Sequence, residues 1–199
     1  MKEMTLEDRY KTLIEARNFH YDNFNKWMTY FYVAIGALFV GYCTIISSDK
    51  SLPQVEYLLS ILGFIVSLLW YWSAKGYYYW NINFINLINY YEETLLKFDE
   101  KERVYFVFAN KETQNNYFSP LSGANISSSK IAILFSFIIS TVWGFIVINK
   151  LFSDYSYNCC CFSTLLQVII SLASVLILSY LIPVGFLKSD NKRFYDLKL

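Results

Sequence analysis

Four stretches of this chain carry no Asp, Glu, Lys, Arg or His: residues 28–46, 57–74, 131–149 and 162–187. Each is 18 residues or longer. A bilayer core about 30 Å thick takes roughly 20 apolar residues in a helix, so each stretch predicts a transmembrane helix. Ahead of the first, residues 5–26 alternate charge with an apolar line at 3–4 spacing: Tyr10, Leu13, Ile14, Tyr21, Phe24 and on to Met28. That spacing predicts an amphipathic helix. No Gly or Pro separates it from the first span, which favours one continuous rod over a helix lying on the membrane surface.

The first connection, 47–56, carries Pro53 and reads as a short turn. The second span overruns the membrane, because from Lys75 to Phe98 only Gly76 opposes a helix. Tyr78, Ile82, Ile85, Ile88 and Leu95 mark one stripe there, and Asn83, Asn86, Asn89, Glu93 and Lys97 another. A helix over 57–98 is about 63 Å long at 1.5 Å per residue, so roughly half of it lies beyond the bilayer. Residues 5–26 and 76–98 then pair as a helical stalk on one side. The run ERVYFVFA at 102–109 holds strand formers in a stretch too short to span; it predicts a short β element at 103–108 or a buried connector. Residues 110–130 are polar and turn-rich, and 127–129 offer N-caps to the third span.

The fold class is all-α membrane protein: four transmembrane helices with cytoplasmic helical extensions. The units along the chain are 1–26, an amphipathic helix; 27–74, a hairpin of spans 28–46 and 57–74; and 75–130, a helix and connector. A second hairpin, 131–187, holds spans 131–149 and 162–187, and 188–199 is a tail with Phe194, Tyr195 and Leu197 among charges.

Charge sets the orientation. Five basic residues precede the first span, six lie between the second and third, and four follow the fourth. The two remaining connections hold one each, Lys50 and Lys150, of 17 in all. Excess Lys and Arg mark the cytoplasmic side, which places both termini and the central segment there. Trp27, Tyr30 and Tyr32 at the start of the first span, and Trp70, Trp72, Tyr77 and Trp80 around the end of the second, form an interfacial aromatic belt. The first 26 residues mix acids and bases, unlike a cleavable signal. Net charge is +1 and both signs mingle in each basic segment, which argues against nucleic acid as a partner and against a polybasic lipid patch. Low Arg beside abundant Lys, Asn, Ile and Tyr points to an AT-rich, bacterial genome.

Candidate chemistry is sparse. The spans hold no charged group of the kind that couples proton or ion transport. There is no Gly-rich phosphate loop, no Cys-x-x-Cys and no His-x-x-x-His. His20, the single histidine, sits on a charged helix with no nucleophile in its pattern, so a capping or interface role is its default. Cys159, Cys160 and Cys161 are three small soft residues at a helix start, with a disulfide between subunits as the alternative; adjacent residues converge poorly on one metal ion. No catalytic, cofactor-binding or metal residue is assigned. Small residues recur four apart, at Ala37 and Gly41 and at Ser136, Ser140 and Gly144, a spacing that lets helices approach closely within or between subunits.

The stretches NFHYDNFNKWMTYFYVAIGALFVG (18–41) and LWYWSAKGYYYWNIN (69–83) resemble the RipA-type octameric bacterial inner-membrane protein family. That resemblance covers the first half of the chain and implies a cytoplasmic-membrane homo-oligomer without catalytic residues. The plan of the chain is also similar to short multi-pass effectors of bacterial anti-phage systems, which perturb the membrane.

The expected protein is a non-enzymatic homo-oligomer of more than two subunits, acting as a membrane scaffold or a membrane-perturbing effector. Its partners are membrane lipid, its own copies and an unidentified protein at the cytoplasmic face. The apolar surplus of the stalk and connector gives the expected oligomer interface: Tyr78, Ile82, Ile85, Ile88, Tyr105, Phe106 and Phe108. A channel or small-solute transporter is the alternative, and a membrane-embedded enzyme comes third. A pore needs a continuous polar stripe, and Ser67, Ser136, Ser140, Thr141, Ser171 and Ser174 give only a broken one.

Overall fold

The computed structural model describes residues 4–49, 52–107, 116–118, 121, 123–153 and 164–188. Helix α1 runs unbroken from Leu6 to Ile46. Thr5 starts it with a reciprocal cap: its hydroxyl accepts from the Asp8 amide at 3.1 Å, and the Asp8 carboxylate accepts from the Thr5 amide at 3.3 Å. Helix α2 is Pro53–Tyr90, prolonged by a π-helical turn, Tyr91–Leu95. It begins four residues earlier than the apolar run suggests, because a proline at the first helical position has a preset φ and no amide to leave unpaired. The chain leaves α2 through Lys97, whose φ of 54° is the left-handed conformation that ends helices.

A 3-10 turn, Glu100–Glu102, and one helical turn, α3 (Val104–Val107), follow. The expected β element at 103–108 is therefore corrected: its described part is helical. A lone apolar run has no strand to pair with, and the Asp99 cap directs the backbone into a turn. Helices α4 (Ser128–Ser153) and α5 (Thr164–Ile182) complete the set, with α5 ending in a π-helical turn, Pro183–Leu187. Among the described residues there is no strand. Among the described residues four helices are long and apolar enough to cross a membrane.

Helix α2 is central, antiparallel to α1 on one side and to α4 on the other, while α5 packs on α4. Trp70 lies at the junction, fully buried. Its indole N–H points to Met28 Sδ at 3.0 Å, and its ring meets Phe31, Tyr32 and Phe135 with centroids 4.9–6.1 Å away. Phe24, Ile35, Ala74, Ala132 and Trp143 extend this core. Two glycines set the helix spacing. A methyl built on Gly63 of α2 would fall on the Trp143 indole of α4. One built on Gly144 would stand 2.6 Å from Ser171 Oγ of α5. At the far end from the stalk, Lys150 pairs with Glu56, tying α4 to the first turn of α2.

Candidate functional site

The spans' polar side chains are the first place to look for chemistry. Ser60, Ser67, Ser136, Ser140 and Ser171 are all fully buried. The first four hydroxyls donate to carbonyls of their own helices at 2.8 Å, and Ser171 crosses from α5 to Thr141 O of α4 at 2.7 Å. With no water in the hydrocarbon region, each hydroxyl must find a partner inside the protein, and these five do, whereas the buried Ser179 hydroxyl of α5 has none among the described residues. The serine stripe is therefore the seam between helices of one subunit and does not line a pore through it. The Ser136–Ser140–Gly144 row belongs to that seam.

The other small-residue row behaves differently. Gly36 and Ala37 of α1 are exposed, and a methyl on Gly36 or Gly41 would meet nothing within 4 Å among the described residues. Val33, Gly36, Ala37, Val40 and Gly41 fall at helical spacing on one face, turned away from the buried Met28 and Ile35. The hydroxyls of Thr29 and Thr44 on this helix return to carbonyls one turn back at 2.9 Å. The result is an uncovered, smooth, uncharged face along the span of α1.

In the stalk, α2 turns Tyr77 and Phe84 toward α1. His20 sits between the rings of Tyr77 and Phe84, with centroids 5.0 and 5.3 Å away. Of the expected interface residues, Ile82 is exposed, and Tyr78, Ile85 and Tyr105 are half-buried. Tyr78 lies under the Lys130 ammonium at 5.9 Å and Tyr105 under the Arg17 guanidinium at 5.7 Å. Ile88 is completely buried within the subunit. The side chain of Phe106, and Phe108 with Cys159, Cys160 and Cys161, lie outside the described residues.

The sequence reading missed a buried carboxyl node at the head of the stalk. Glu92, in the π-helical turn, is fully buried. Its Oε1 accepts from the Tyr10 hydroxyl of α1 at 2.5 Å and from the Val104 amide of the connector at 3.2 Å. One side chain thus fastens three segments. Burial first, then the hydrogen bond to Glu92, pushes the Tyr10 phenol well above its ordinary value, so it remains a donor. Glu92 Oε2, Tyr105 Oη and Arg17 Nε are buried without a partner among the described residues. The readable signal was position: Glu92 lies four residues after Ile88, on the inner line of the helix, where a charged residue is out of place.

Among the described residues no three His, Cys, Asp or Glu converge as metal ligands. Among the described residues the geometry offers packing faces and a few polar ties, with the buried Glu92 node at the head of the stalk. Against known proteins, the family model described as the octameric membrane protein family (8xMP) matches residues 7–152, from the start of α1 to the end of α4. No curated protein and no solved structure matches the chain.

Proposed function

The chain belongs to the octameric membrane protein family, a multi-pass membrane protein with four spans, and from that premise we propose that it acts without catalysis as a homo-oligomeric scaffold. The assembly holds more than two subunits, with eight as the order the family's name gives. It sits in a bacterial cytoplasmic membrane with both termini and the stalk on the cytoplasmic side, as the basic residues divide.

The observation that carries this reading is the contrast between the two small-residue rows. Ser136, Ser140 and Gly144 are consumed by contacts inside the subunit, whereas the Gly36–Ala37–Gly41 face of α1 is left uncovered. Small residues admit the backbone of a neighbouring helix, and in lipid such close packing is a main source of helix association. The exposed Ile82 and half-buried Ile85 add a second contact outside the bilayer. Effector and channel readings both call for a polar wall through the membrane. The outward face of α1 does not offer one, and the scaffold reading asks for none.

Light scattering of the full chain in nanodiscs tests the proposal, together with retention of calcein in reconstituted liposomes. Wild type is expected to be a multimer above the dimer and to leave the liposomes sealed. Ala37→Leu with Gly41→Leu is expected to lower the order while the protein stays inserted. A monomeric wild type overturns the scaffold; leakage by the assembled protein transfers the reading to a permeabilising effector.

A further inference from the structure

Helix α5 packs on α4 and barely touches α2, so its last turn stands off from α2 at the basic end of the spans. The gap is a groove of about 590 Å³. Its depth in the membrane is set by the sequence. Lys75 is the first charge after the second apolar run and Lys188 the first after the fourth, and both stand in the groove wall. Leu69 and Leu187 supply apolar lining, and the indoles of Trp72 and Trp80 frame it.

Three observations describe the groove. First, charge: among the described residues the groove wall has two lysines and no acid, and α2 carries no Asp or Glu between Glu56 and Glu92. Among the described residues neither lysine has a carboxylate partner; Lys75 rests on the Tyr71 ring at 5.3 Å. Second, an orphan donor: the Trp72 indole N–H is buried with no acceptor among the described residues. An indole N–H can only donate, and a buried one without an acceptor is an uncompensated cost. Third, an unexplained glycine: Gly76 lies inside α2, where glycine is disfavoured against alanine because it loses more backbone freedom. No atom of the described residues stands within 4 Å of where its side chain would be, so nothing among them accounts for it.

An occupant with anionic oxygens at headgroup depth and an apolar tail answers the charge and the glycine, while the Trp72 N–H, which has no exposed surface, lies behind the groove wall. We propose that this groove binds one anionic phospholipid, with its phosphate between Lys75 and Lys188, its glycerol beside Gly76 and an acyl chain along Leu69 and Leu187. The apolar lining commits the site to a lipid rather than to free phosphate. The paired lysines select a net-anionic headgroup over a zwitterionic one, whose cation they would repel. The assignment stands apart from the scaffold proposal, since it uses α2 and α5 and not the open face of α1.

Native mass spectrometry of the full chain from nanodiscs of mixed phosphatidylglycerol and phosphatidylcholine tests it. Wild type is expected to retain one phosphatidylglycerol per subunit in preference to phosphatidylcholine. Lys75→Gln with Lys188→Gln should weaken retention roughly thirtyfold, a factor of about five for each lysine. Gly76→Leu should weaken it with the charge unchanged, and Lys11→Gln with Lys101→Gln, equal in charge loss but on the stalk, should not. Inorganic phosphate at millimolar concentration should fail to displace the lipid. Equal retention of the two lipids, equal loss in the stalk control, or displacement by phosphate would each overturn the assignment.

Discussion

Gly63→Ala puts the helix packing to its sharpest test, because two rules give opposite signs. For a glycine in an open helix, alanine gains about 1 kcal/mol of propensity. At position 63 the new methyl falls on the six-membered ring of Trp143, with three ring carbons inside normal contact. Carbon atoms prefer about 3.5–4.0 Å, so one partner must retreat. Trp143 has little room: it is 2% exposed, and Tyr42 and Phe39 of α1 close on it with centroids 5.7 and 6.5 Å away. Overpacking of this kind costs about 1–3 kcal/mol, and the rigidity of both partners puts this case at the upper end. The net expectation is about 2 kcal/mol of destabilisation, near thirtyfold in the folding equilibrium. The assay is SDS-driven unfolding in mild detergent followed by circular dichroism, in a cycle with Trp143→Leu. Removing the indole relieves the clash, so the double variant should be more stable than the sum of the singles by at least about 1 kcal/mol. A stabilised Gly63→Ala, or additivity within about 0.5 kcal/mol, would refute the α2–α4 packing described above.

Other expectations follow from the stalk and the orientation. Tyr10→Phe leaves the buried Glu92 with one donor fewer and should cost about 1–3 kcal/mol, read as faster amide exchange over residues 6–24. The Tyr10 phenol is raised in the folded state, so its contribution is complete below the ordinary value of 10.0 and is lost as pH rises through the folded value. Exchange protection in wild type should therefore fall above pH 10, and that fall should shrink in Tyr10→Phe; an identical alkaline profile would count against the node. Ile85→Glu should lower the oligomer order without loss of insertion, since desolvating an unpaired charge costs several kcal/mol; an unchanged order removes this face from the interface. Reporters fused within 110–125 and after Leu199 should read as cytoplasmic and one within 48–55 as external, and an external signal at 115 would sink the orientation.

The spans and the unbroken α1 were legible because they rest on absences: no charge for 18 residues or more, and no Gly or Pro between Leu6 and Ile35. The run of strand formers at 104–108 misled, because propensity in a short segment yields to the cap before it and to the lack of a pairing partner. The stripe reading of the stalk did not separate Ile88, which is buried in the subunit, from its neighbours, since Tyr78–Ile82–Ile85 and Tyr77–Phe84–Ile88 are neighbouring lines of similar apolarity. Only the partner helix decides between them, and His20 and Phe24 lie over Tyr77. The roles of the small-residue rows were equally open in the sequence. Which row meets a neighbour depends on helix order, with α2 in the middle and α1 at the edge, and spacing alone does not encode that. The Glu92 node pairs residues 82 positions apart, a separation at which no local pattern speaks.

The length of α2 has a mechanical consequence. With its π-helical turn it runs 43 residues, from Pro53 to Leu95, and no proline follows the first residue. Glu92 stands about 40 Å from the middle of the apolar run at 1.5 Å per residue. Pivoting the helix by about 10° at the bilayer midplane would swing that end through about 7 Å, a lever arm acting on the contact with Tyr10 and the connector. Helices that span bilayers tilt further as the hydrocarbon layer thins. In an assembly of such subunits, a change in membrane thickness would therefore change the distance between stalk heads.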